Sequence, residues 1–384
     1  MISRNTKFAK NNSFFLFGPR GTGKSYWLHQ IYPDALYIDL LNNDTFLALS
    51  ASPERLSSYI PDNFSGKVII DEIQKVPALL DVVHRLIENF GYTFILTGSS
   101  ARKLRKAGVN LLGGRAYIYH FYPLTALELG SLYDFPKALK YGLLPTLYDD
   151  EKTAIPDDYL RSYVAAYLKE EVIQEGLTRN LPAFTRFLEA ASFSQGEVLN
   201  VSEIARECSI ERKLVENYFT ILEDLLIAIR IPVFTKKSKR RLISHSKFYY
   251  FDTGIYRAIR PKGPLDLPEQ IDGAALETLL LQELRANISN FNLKYDVYFW
   301  RTTYGTEVDF VLYGEDGFIA IEIKRKRNIT CKDLSGLKSF NKDYPSAKRY
   351  VFCGVSEKRF IDNIEIWPVE HALRNLDKIL TNNN

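Results

Sequence analysis

Short apolar runs alternate with longer helix-like stretches in the first third of the chain. The runs at 13–17, 35–40, 67–71 and 92–98 each have the length of a buried strand and lead into glycine or polar residues. This alternation of strands and helices predicts an α/β domain built on a parallel sheet.

From about residue 131 the pattern becomes mostly helical. Apolar residues recur at helical spacing through 157–176, which predicts one amphipathic helix there. We expect its aromatic side chains in the core rather than on a base-stacking surface.

Residues 199–251 resemble a winged helix-turn-helix. The predicted elements are helices at 203–208 and 211–226, strands at 227–234 and 247–251, and a basic tip at 236–241. In a DNA-binding version the second helix enters the major groove and the tip touches phosphates. The outward face of that helix mixes Arg212 and Lys213 with Glu216 and Glu223, so a docking module with a solvated basic hairpin is the alternative. We favour DNA contact.

One loop fits the phosphate-binding pattern G-x-x-x-x-G-K-[ST] at every fixed position, between the first strand and a helix. Its residues are Gly18, Pro19, Arg20, Gly21, Thr22, Gly23, Lys24 and Ser25. Glycines let backbone N–H groups converge on phosphates, Lys24 reaches the β- and γ-phosphates, and the Ser25 hydroxyl ligates Mg²⁺. The loop therefore predicts binding of a nucleoside triphosphate, with ATP and Mg²⁺ as cofactors.

Two carboxylates end the third strand-like run. In a phosphate-loop protein Asp71 holds Mg²⁺ through its water shell, and Glu72 orients and deprotonates the attacking water. The next strand delivers Ser99 to the same sheet edge, where its hydroxyl can sense the γ-phosphate. The run at 35–40 separates the two motifs along the chain, as expected for the nucleotide-hydrolysing branch of these folds.

These motifs resemble those of AAA-type ATPases in a large uncharacterised prokaryotic family, whose members carry a helical and winged-helix middle and a nuclease-like C-terminal domain. The resemblance rests on the loop, the acidic pair, and the segments at 97–100, 112–115 and 122–124. It implies that Arg115 is an arginine finger or sensor acting on the γ-phosphate, within one chain or across a subunit interface. The alternative is an ordinary surface cation.

The C-terminal third carries a second group of polar residues in alternating strands. Glu307 and Asp309 share one strand face, and Val308 and Phe310 are expected to face a core. After a hairpin, Glu322 and Lys324 share one face of the next strand. Upstream, Glu277 lies among leucines on a helix, where a carboxylate needs a partner because an unpaired buried charge is costly.

This pattern resembles the PD-(D/E)xK nuclease superfamily, an α/β fold of restriction-endonuclease type. The resemblance implies that Asp309 and Glu322 ligate Mg²⁺ and that Lys324 orients or activates the attacking water. Glu277 would support the metal or the lysine. Two alternatives stay open: a ladder of cross-strand salt bridges, and a site that binds without cleaving.

Length and composition indicate the number of domains and the cellular compartment. The 384 residues predict two or three domains, divided as an AAA-type domain at 1–130, a helical and winged-helix region at 131–260, and a nuclease-like domain at 261–384. A net charge of +4 is compatible with nucleic acid. Unpaired cysteine spacing indicates a reducing, cytoplasmic location. No run approaches about 20 apolar residues, so we expect no membrane span.

Two functional hypotheses follow. The first is an ATP-hydrolysing enzyme that acts on nucleic acid, DNA rather than RNA. The second is a nucleotide-driven switch whose nuclease-like domain is an inactive module that binds a partner or nucleic acid. A homo-oligomer is compatible with either hypothesis.

Overall fold

Apolar side chains alternate along the first strand and cover both faces of a parallel sheet. Phe15 and Phe17 pack in one buried cluster, whereas Phe14 and Leu16 pack in another on the opposite face. A strand that is buried on both faces in this way is typical of α/β domains. The structure is a computed structural model that describes residues 2–8, 11–100, 104, 112–149, 155–168, 180–236, 245–264 and 266–381.

The strands are numbered in chain order. They are β1 Ser13–Phe17, β2 Leu36–Asp39, β3 Lys67–Asp71, β4 Thr93–Gly98, β5 Ala116–His120, β6 Ala228–Ile231, β7 Lys247–Tyr250, β8 Tyr295–Arg301, β9 Glu307–Gly314, β10 Gly317–Ile323, β11 Lys348–Cys353, β12 Arg359–Ile361 and β13 Ile364–Pro368.

The α-helices are numbered in the same way. They are α1 Lys24–Ile31, α2 Asn43–Ala51, α3 Leu56–Tyr59, α4 Leu79–Phe90, α5 Ala126–Leu129, α6 Phe135–Tyr141, α7 Pro156–Ser162, α8 Leu181–Ser192, α9 Val201–Cys208, α10 Arg212–Asp224, α11 Thr253–Ile259, α12 Pro268–Asn290, α13 Ser335–Asp343, α14 Val369–Arg374 and α15 Leu376–Thr381. Short 3₁₀ turns lie at Pro53–Arg55, Ile73–Lys75, Gly130–Leu132 and Pro145–Tyr148.

The chain forms two compact units. One comprises Lys7–Pro123 with Asp224–Ile227, and the other comprises Met1–Thr6, Leu124–Glu223 and Ala228–Asn384. The division into three domains at about 130 and 260 stays a prediction.

The first unit contains a five-stranded parallel sheet with the order β2-β3-β4-β1-β5. The strand that separates β1 from β3 in space is β4. Strand β2, which lies between the two motifs along the chain, is at the edge of the sheet. The carboxyl ends of the strands share one edge of a parallel sheet, so the loop after β1 and the acids after β3 face the same side.

The predicted helix at 157–176 is described only in its first half. Helix α7 continues as a π-helical turn at Tyr163–Leu168, and residues 169–179 lie outside the described residues.

Two helices and an antiparallel strand pair occupy the segment that resembles a winged helix. Helix α10 ends two residues before the predicted end, and Leu226 has a left-handed backbone with φ of 59°. Strand β6 is shorter than predicted because Pro232 has no N–H to continue the ladder. Residues 237–244, which include most of the basic tip predicted at 236–241, lie outside the described residues.

The second unit also contains a six-stranded mixed sheet with the order β12-β13-β11-β10-β9-β8. Strands β8, β9 and β10 are antiparallel neighbours, and β11 runs parallel to β10. The long helix α12 precedes β8, and its buried residues include Glu277's neighbours Leu276 and Thr278.

A bulge interrupts the predicted alternation of β9. Tyr298 pairs with Val311, but Trp300 pairs with Val308, so β9 has one more residue than β8 between these pairs. Val308 and Val311 consequently lie in the same core cluster. The ring of Phe310 lies 6.0 Å from the ring of Tyr249 instead of joining that cluster. Val308 and Phe310 are both fully buried, as expected, but they do not pack in the same cluster because a bulge reverses the alternation.

Candidate functional site

The phosphate-loop pattern forms a tight turn between β1 and α1. Gly21 and Gly23 have φ of 80° and 88°, a left-handed conformation that glycine adopts without steric cost. A Cβ atom on Gly18 would lie 2.2 Å from the carbonyl oxygen of Phe121, so this position admits no side chain without a shift of the backbone. The fold therefore uses glycine where the pattern requires it.

Lys24 begins α1 and is almost fully buried against its own loop. Its ammonium donates hydrogen bonds to the carbonyl oxygens of Gly18 at 2.6 Å and Pro19 at 3.2 Å. The Thr22 hydroxyl donates to Pro19 as well, at 2.8 Å. The lysine is thus held at the loop whose backbone N–H groups the motif directs toward phosphates.

Asp71 is the centre of a hydroxyl cluster at the carboxyl edge of the sheet. Its Oδ2 accepts hydrogen bonds from the hydroxyls of Ser25 at 2.7 Å and Tyr37 at 2.5 Å. Its Oδ1 accepts one from the Thr97 hydroxyl. The paired Ser25 and Asp71 oxygens beside a glycine-lined loop fit Mg²⁺, which prefers oxygen ligands and retains several waters.

Glu72 has a left-handed backbone, with φ of 59°. The Gln74 amide donates to its Oε2 and also to the Ser99 hydroxyl at 3.2 Å. The backbone N–H of Glu72 donates to the Thr97 hydroxyl at 3.4 Å. Gln74 therefore links the predicted base with the predicted sensor serine.

Arg115 lies at the other end of the sheet. Strand β5 is parallel to β1 and pairs Ala116 with Ser13, whereas the phosphate loop follows Phe17. Five strand residues span about 16 Å. The Arg115 guanidinium is ion-paired with Glu88 on helix α4. This geometry does not bring Arg115 to the loop of its own chain, and a role across a subunit interface stays a prediction.

Sequence reasoning missed Tyr37 and Gln74 as site residues. Tyr37 is an apolar-flanked strand residue that reads as core, and only the pairing of β2 with β3 brings its hydroxyl to Asp71. Burial and the adjacent Asp71 charge raise the pKa of Tyr37, so the phenol stays protonated and donates. Gln74 carried a usable signal, because it is a polar residue two positions after the acidic pair at the strand end.

The second group of predicted residues meets in the C-terminal sheet. The Lys324 ammonium lies 2.7 Å from Glu322 and 3.4 Å from Asp309. The backbone N–H of Ile323 donates to Asp309 Oδ2 at 2.9 Å. The structure therefore brings these three predicted residues together, as their strand positions suggested.

Strand β7 adds two residues that the sequence analysis did not place in this site. The Lys247 ammonium contacts Glu277 at 3.4 Å and is ion-paired with Glu307. The Tyr249 hydroxyl donates to Glu277 Oε2 at 2.9 Å. Glu307 also pairs with Arg301 at 3.1 Å. We call Glu277, Glu307, Asp309 and Glu322, with the cations that contact them, the C-terminal acid cluster.

Burial and mutual charge set the protonation of this cluster. Burial raises the pKa of Glu277 to about 7, although the Lys247 charge opposes the shift. Burial also raises the pKa of Glu322 well above its usual value, and the Asp309 charge adds to the shift. Burial acts to raise the pKa of Asp309, but the lysines outweigh it and the pKa falls. Burial acts to lower the pKa of Lys247, yet the surrounding acids raise it well above its usual value, so it remains an ammonium.

A divalent ion does not fit this arrangement. Each of the four carboxylates already contacts a lysine ammonium. Among the side chains that the structure describes, no three His, Cys, Asp or Glu residues are grouped to hold a metal ion. The metal role of Asp309 and Glu322 stays a prediction that the observed contacts do not favour.

Three family models match successive parts of the chain. Residues 10–130 match the family described as AAA domain. Residues 132–266 match a domain of unknown function (DUF8612), and residues 272–372 match another (DUF4143).

Curated relatives of the chain are themselves uncharacterized. A protein of Mycobacterium tuberculosis is 27% identical over 268 residues, which are 68% of this chain and 59% of that protein. A protein of Methanocaldococcus jannaschii is 27% identical over 369 residues, covering 88% of this chain and 79% of its own length. The chain thus spans about three fifths of the mycobacterial relative.

Solved structures show only distant similarity. The Aeropyrum pernix Orc1 protein in complex with DNA aligns with a TM-score of 0.26 and 14% identity, over 65% of this chain and 87% of that one. The Bacillus subtilis DNA clamp loader delta protein aligns with a TM-score of 0.23 and 15% identity, over 73% and 94%. TM-scores this low do not establish a common overall fold.

Within the described residues, no helix has the length and apolar character to cross a bilayer. The glycine loop and the five-stranded parallel sheet are those of a P-loop domain, and residues 10–130 are similar to the family described as AAA domain.

Proposed function

We propose that the AAA-type domain binds ATP with Mg²⁺ and hydrolyses it. The observation that carries this proposal is the 2.7 Å contact between Ser25 and Asp71, with Glu72 directly after Asp71 at the same sheet edge. The loop N–H groups and Lys24 would bind the β- and γ-phosphates. Ser25 and Asp71 would hold the hydrated Mg²⁺, which neutralises charge on the transferring phosphoryl group.

In this proposal Glu72 takes the proton of the attacking water. A base must lie within hydrogen-bond reach of that water, and the contact from Gln74 holds the Glu72 carboxylate at the sheet edge beside Ser99. Ser99 senses the γ-phosphate from the same edge. Arg115 would act on the site of a second copy of the chain.

The test is ATP turnover of the purified chain and two variants. We expect Lys24→Ala to lose ATP binding in calorimetry. Glu72→Gln should bind ATP with unchanged affinity and turn it over about 10²-fold or more slowly, because general-base catalysis contributes 10²–10⁴-fold. Glu54→Gln is the matched control, since Glu54 is a largely exposed glutamate of the same unit that pairs with Arg85. Wild-type turnover in Glu72→Gln would contradict the proposed base.

A nucleotide-driven switch is the second candidate for the whole chain, and the paired cations of the C-terminal acid cluster favour it over DNA cleavage. In the switch, ATP and ADP must have different affinities for two states of the protein. The C-terminal part then binds a partner without cutting nucleic acid.

Contact with DNA through 199–251 is the alternative that the sequence favours. Helices α9 and α10 and the pair β6–β7 are compatible with it. However, Arg212 pairs with Glu216 at 3.1 Å and Arg230 with Glu223 at 2.9 Å, which reduces the positive charge those side chains offer.

One paired assay separates these candidates. ATP turnover is measured with and without DNA, and the same preparation is tested for Mg²⁺-dependent cleavage. DNA-stimulated turnover with cleavage that Asp309→Ala abolishes supports the DNA-acting enzyme. Turnover that DNA does not change, with intact DNA in wild type and Asp309→Ala alike, supports the switch.

A further inference from the structure

Lys247 is the most deeply buried cation of the C-terminal acid cluster. Its side chain is 2% exposed, compared with 32% for Lys324. It contacts Glu277 on α12 and Glu307 at the start of β9, and its ammonium also lies 5.6 Å from the centre of the Phe299 ring. One side chain therefore joins two carboxylates from different elements.

The backbone of β7 fixes this lysine on both sides. Lys247 pairs with Ile231 of β6, and on the other side it bridges to Val198. Adjacent hydrogen bonds run from Gly196 to Phe248 at 2.8 Å and from Leu199 to Ser246 at 2.9 Å. A residue held by ladders on both edges has little freedom to leave the acids.

Tyr249 lies on the same face of β7 and completes the contact. It is fully buried and donates to the same Glu277 oxygen that Lys247 contacts. The backbone at Gly196 approaches this oxygen too, since a Cβ there would lie 3.2 Å from it and the φ of Gly196 is 74°. Three protein groups therefore lie close to Glu277 Oε2, while the Glu277 side chain as a whole is 23% exposed.

Buried carboxylates require compensating charge, because removing an unpaired charge from water is costly. A divalent ion supplies this charge only when several oxygens converge on it at about 2.0–2.6 Å. An ammonium supplies it through hydrogen bonds at longer range. In this cluster the ammonium groups of Lys247 and Lys324 already fill that role.

We propose that Lys247 is the resident cation of the C-terminal acid cluster and excludes a divalent metal from it. The proposal rests on the switch candidate and deepens it. If lysine occupies the acid cluster, the cluster does not take up the metal that cleavage requires. The C-terminal part would then bind its partner without cutting nucleic acid. Strand β7, which follows the basic segment at 236–241, thereby becomes part of the site.

The test measures the affinity of the full chain for Mn²⁺ in the absence of nucleotide. The electron paramagnetic resonance signal of free Mn²⁺ reports how much of the ion is bound. The comparison uses wild type, Asp309→Asn, Lys247→Met and the double variant. We expect wild type and Asp309→Asn to bind alike. Lys247→Met should bind Mn²⁺ about ten-fold or more tightly than wild type, since a unit charge a few ångströms away is removed. The double variant should lose this gain.

Lys342→Met controls for loss of a lysine as such, since Lys342 is an exposed residue of α13 in the same unit. Binding in wild type that Asp309→Asn abolishes would overturn the proposal, and so would a folded Lys247→Met that gains no affinity. If Lys247→Met does not fold, Mn²⁺ affinity is measured instead on a variant that combines Lys247→Met with Glu277→Gln. This combination removes one positive and one negative charge and so keeps the net charge of the cluster. ATP turnover of each preparation reports separately on the AAA-type site, so the two proposals can fail independently.

Discussion

At Asp71 three hydroxyl groups converge on one carboxylate, and each comes from a different element. Ser25 comes from α1, Tyr37 from β2 and Thr97 from β4. Such a network orients the carboxylate before any ligand binds. Preorganised groups of this kind contribute to catalysis because they need not rearrange during the reaction.

Removal of the Tyr37 hydroxyl tests this preorganisation. We expect Tyr37→Phe to keep the fold and reduce ATP turnover about 2- to 10-fold, since one net hydrogen bond contributes about 0.5–1.5 kcal/mol. The apparent affinity for Mg²⁺ in the assay should fall with it. Tyr26→Phe on α1 is the matched control, because its side chain is 59% exposed. Equal ATP turnover of Tyr37→Phe and Tyr26→Phe would show that the Tyr37 hydroxyl is not required to orient the Asp71 carboxylate.

Among the elements, helix α12 carries several fully buried polar side chains of the second unit. Glu283 is completely buried, and its Oε1 accepts a hydrogen bond from the Ala126 N–H at 2.7 Å. Its other oxygen accepts from Asn287 at 3.3 Å. Burial raises the pKa of Glu283 well above its usual value, and the charge of Glu128 adds to this.

The raised pKa predicts a pH dependence of stability. The folded state binds the Glu283 proton more tightly than the unfolded state, so this stabilisation is complete below the ordinary pKa of 4.5 and is lost as pH rises through the folded pKa. We expect wild type to lose on the order of 1 kcal/mol relative to Glu283→Gln between pH 5 and 8. Urea unfolding at several pH values measures this difference. Glu269→Gln, an exposed position of the same helix, should track wild type. If the difference in unfolding free energy between wild type and Glu283→Gln did not change with pH, Glu283 would not be the titrating group.

The elements of the first unit followed closely from the sequence, whereas long-range pairings did not. Strands β1, β3 and β4 match their apolar runs because each run is buried on both faces. The meeting of Asp309, Glu322 and Lys324 followed from alternation in two consecutive strands. Lys247 contacts Glu277 and Glu307 from a separate strand pair, and nothing local in the run Lys247–Tyr250 indicates those contacts. The bulge in β9 also depends on pairing with β8, which no single strand encodes.

For the whole molecule, the placement of Arg115 bears on assembly. It lies at the end of the sheet opposite its own phosphate loop, so a finger role requires a second copy. An arginine finger contributes about 10³–10⁵-fold to turnover. If Arg115 acts in this way, the ATPase is active only as an oligomer and its specific activity rises with protein concentration.

A mixing experiment tests this arrangement. Arg115→Ala and Lys24→Ala should each be inactive alone, and a mixture should recover turnover because one copy supplies the site and the other the arginine. Arg85→Ala, an exposed arginine on the same helix as Glu88, is the control and should behave as wild type. Full turnover in Arg115→Ala would identify Arg115 as a surface cation paired with Glu88.

The left-handed backbone at Glu72 places stability and activity in opposition. This conformation disfavours an L-residue by roughly 1–2 kcal/mol, and asparagine or glycine would relieve the strain. Either replacement would also remove the carboxylate that we assign as the base. If Glu72 is the base, directed evolution for heat resistance alone would therefore enrich inactive variants at this codon, and a thermostable form of the protein would need selection for turnover at the same time.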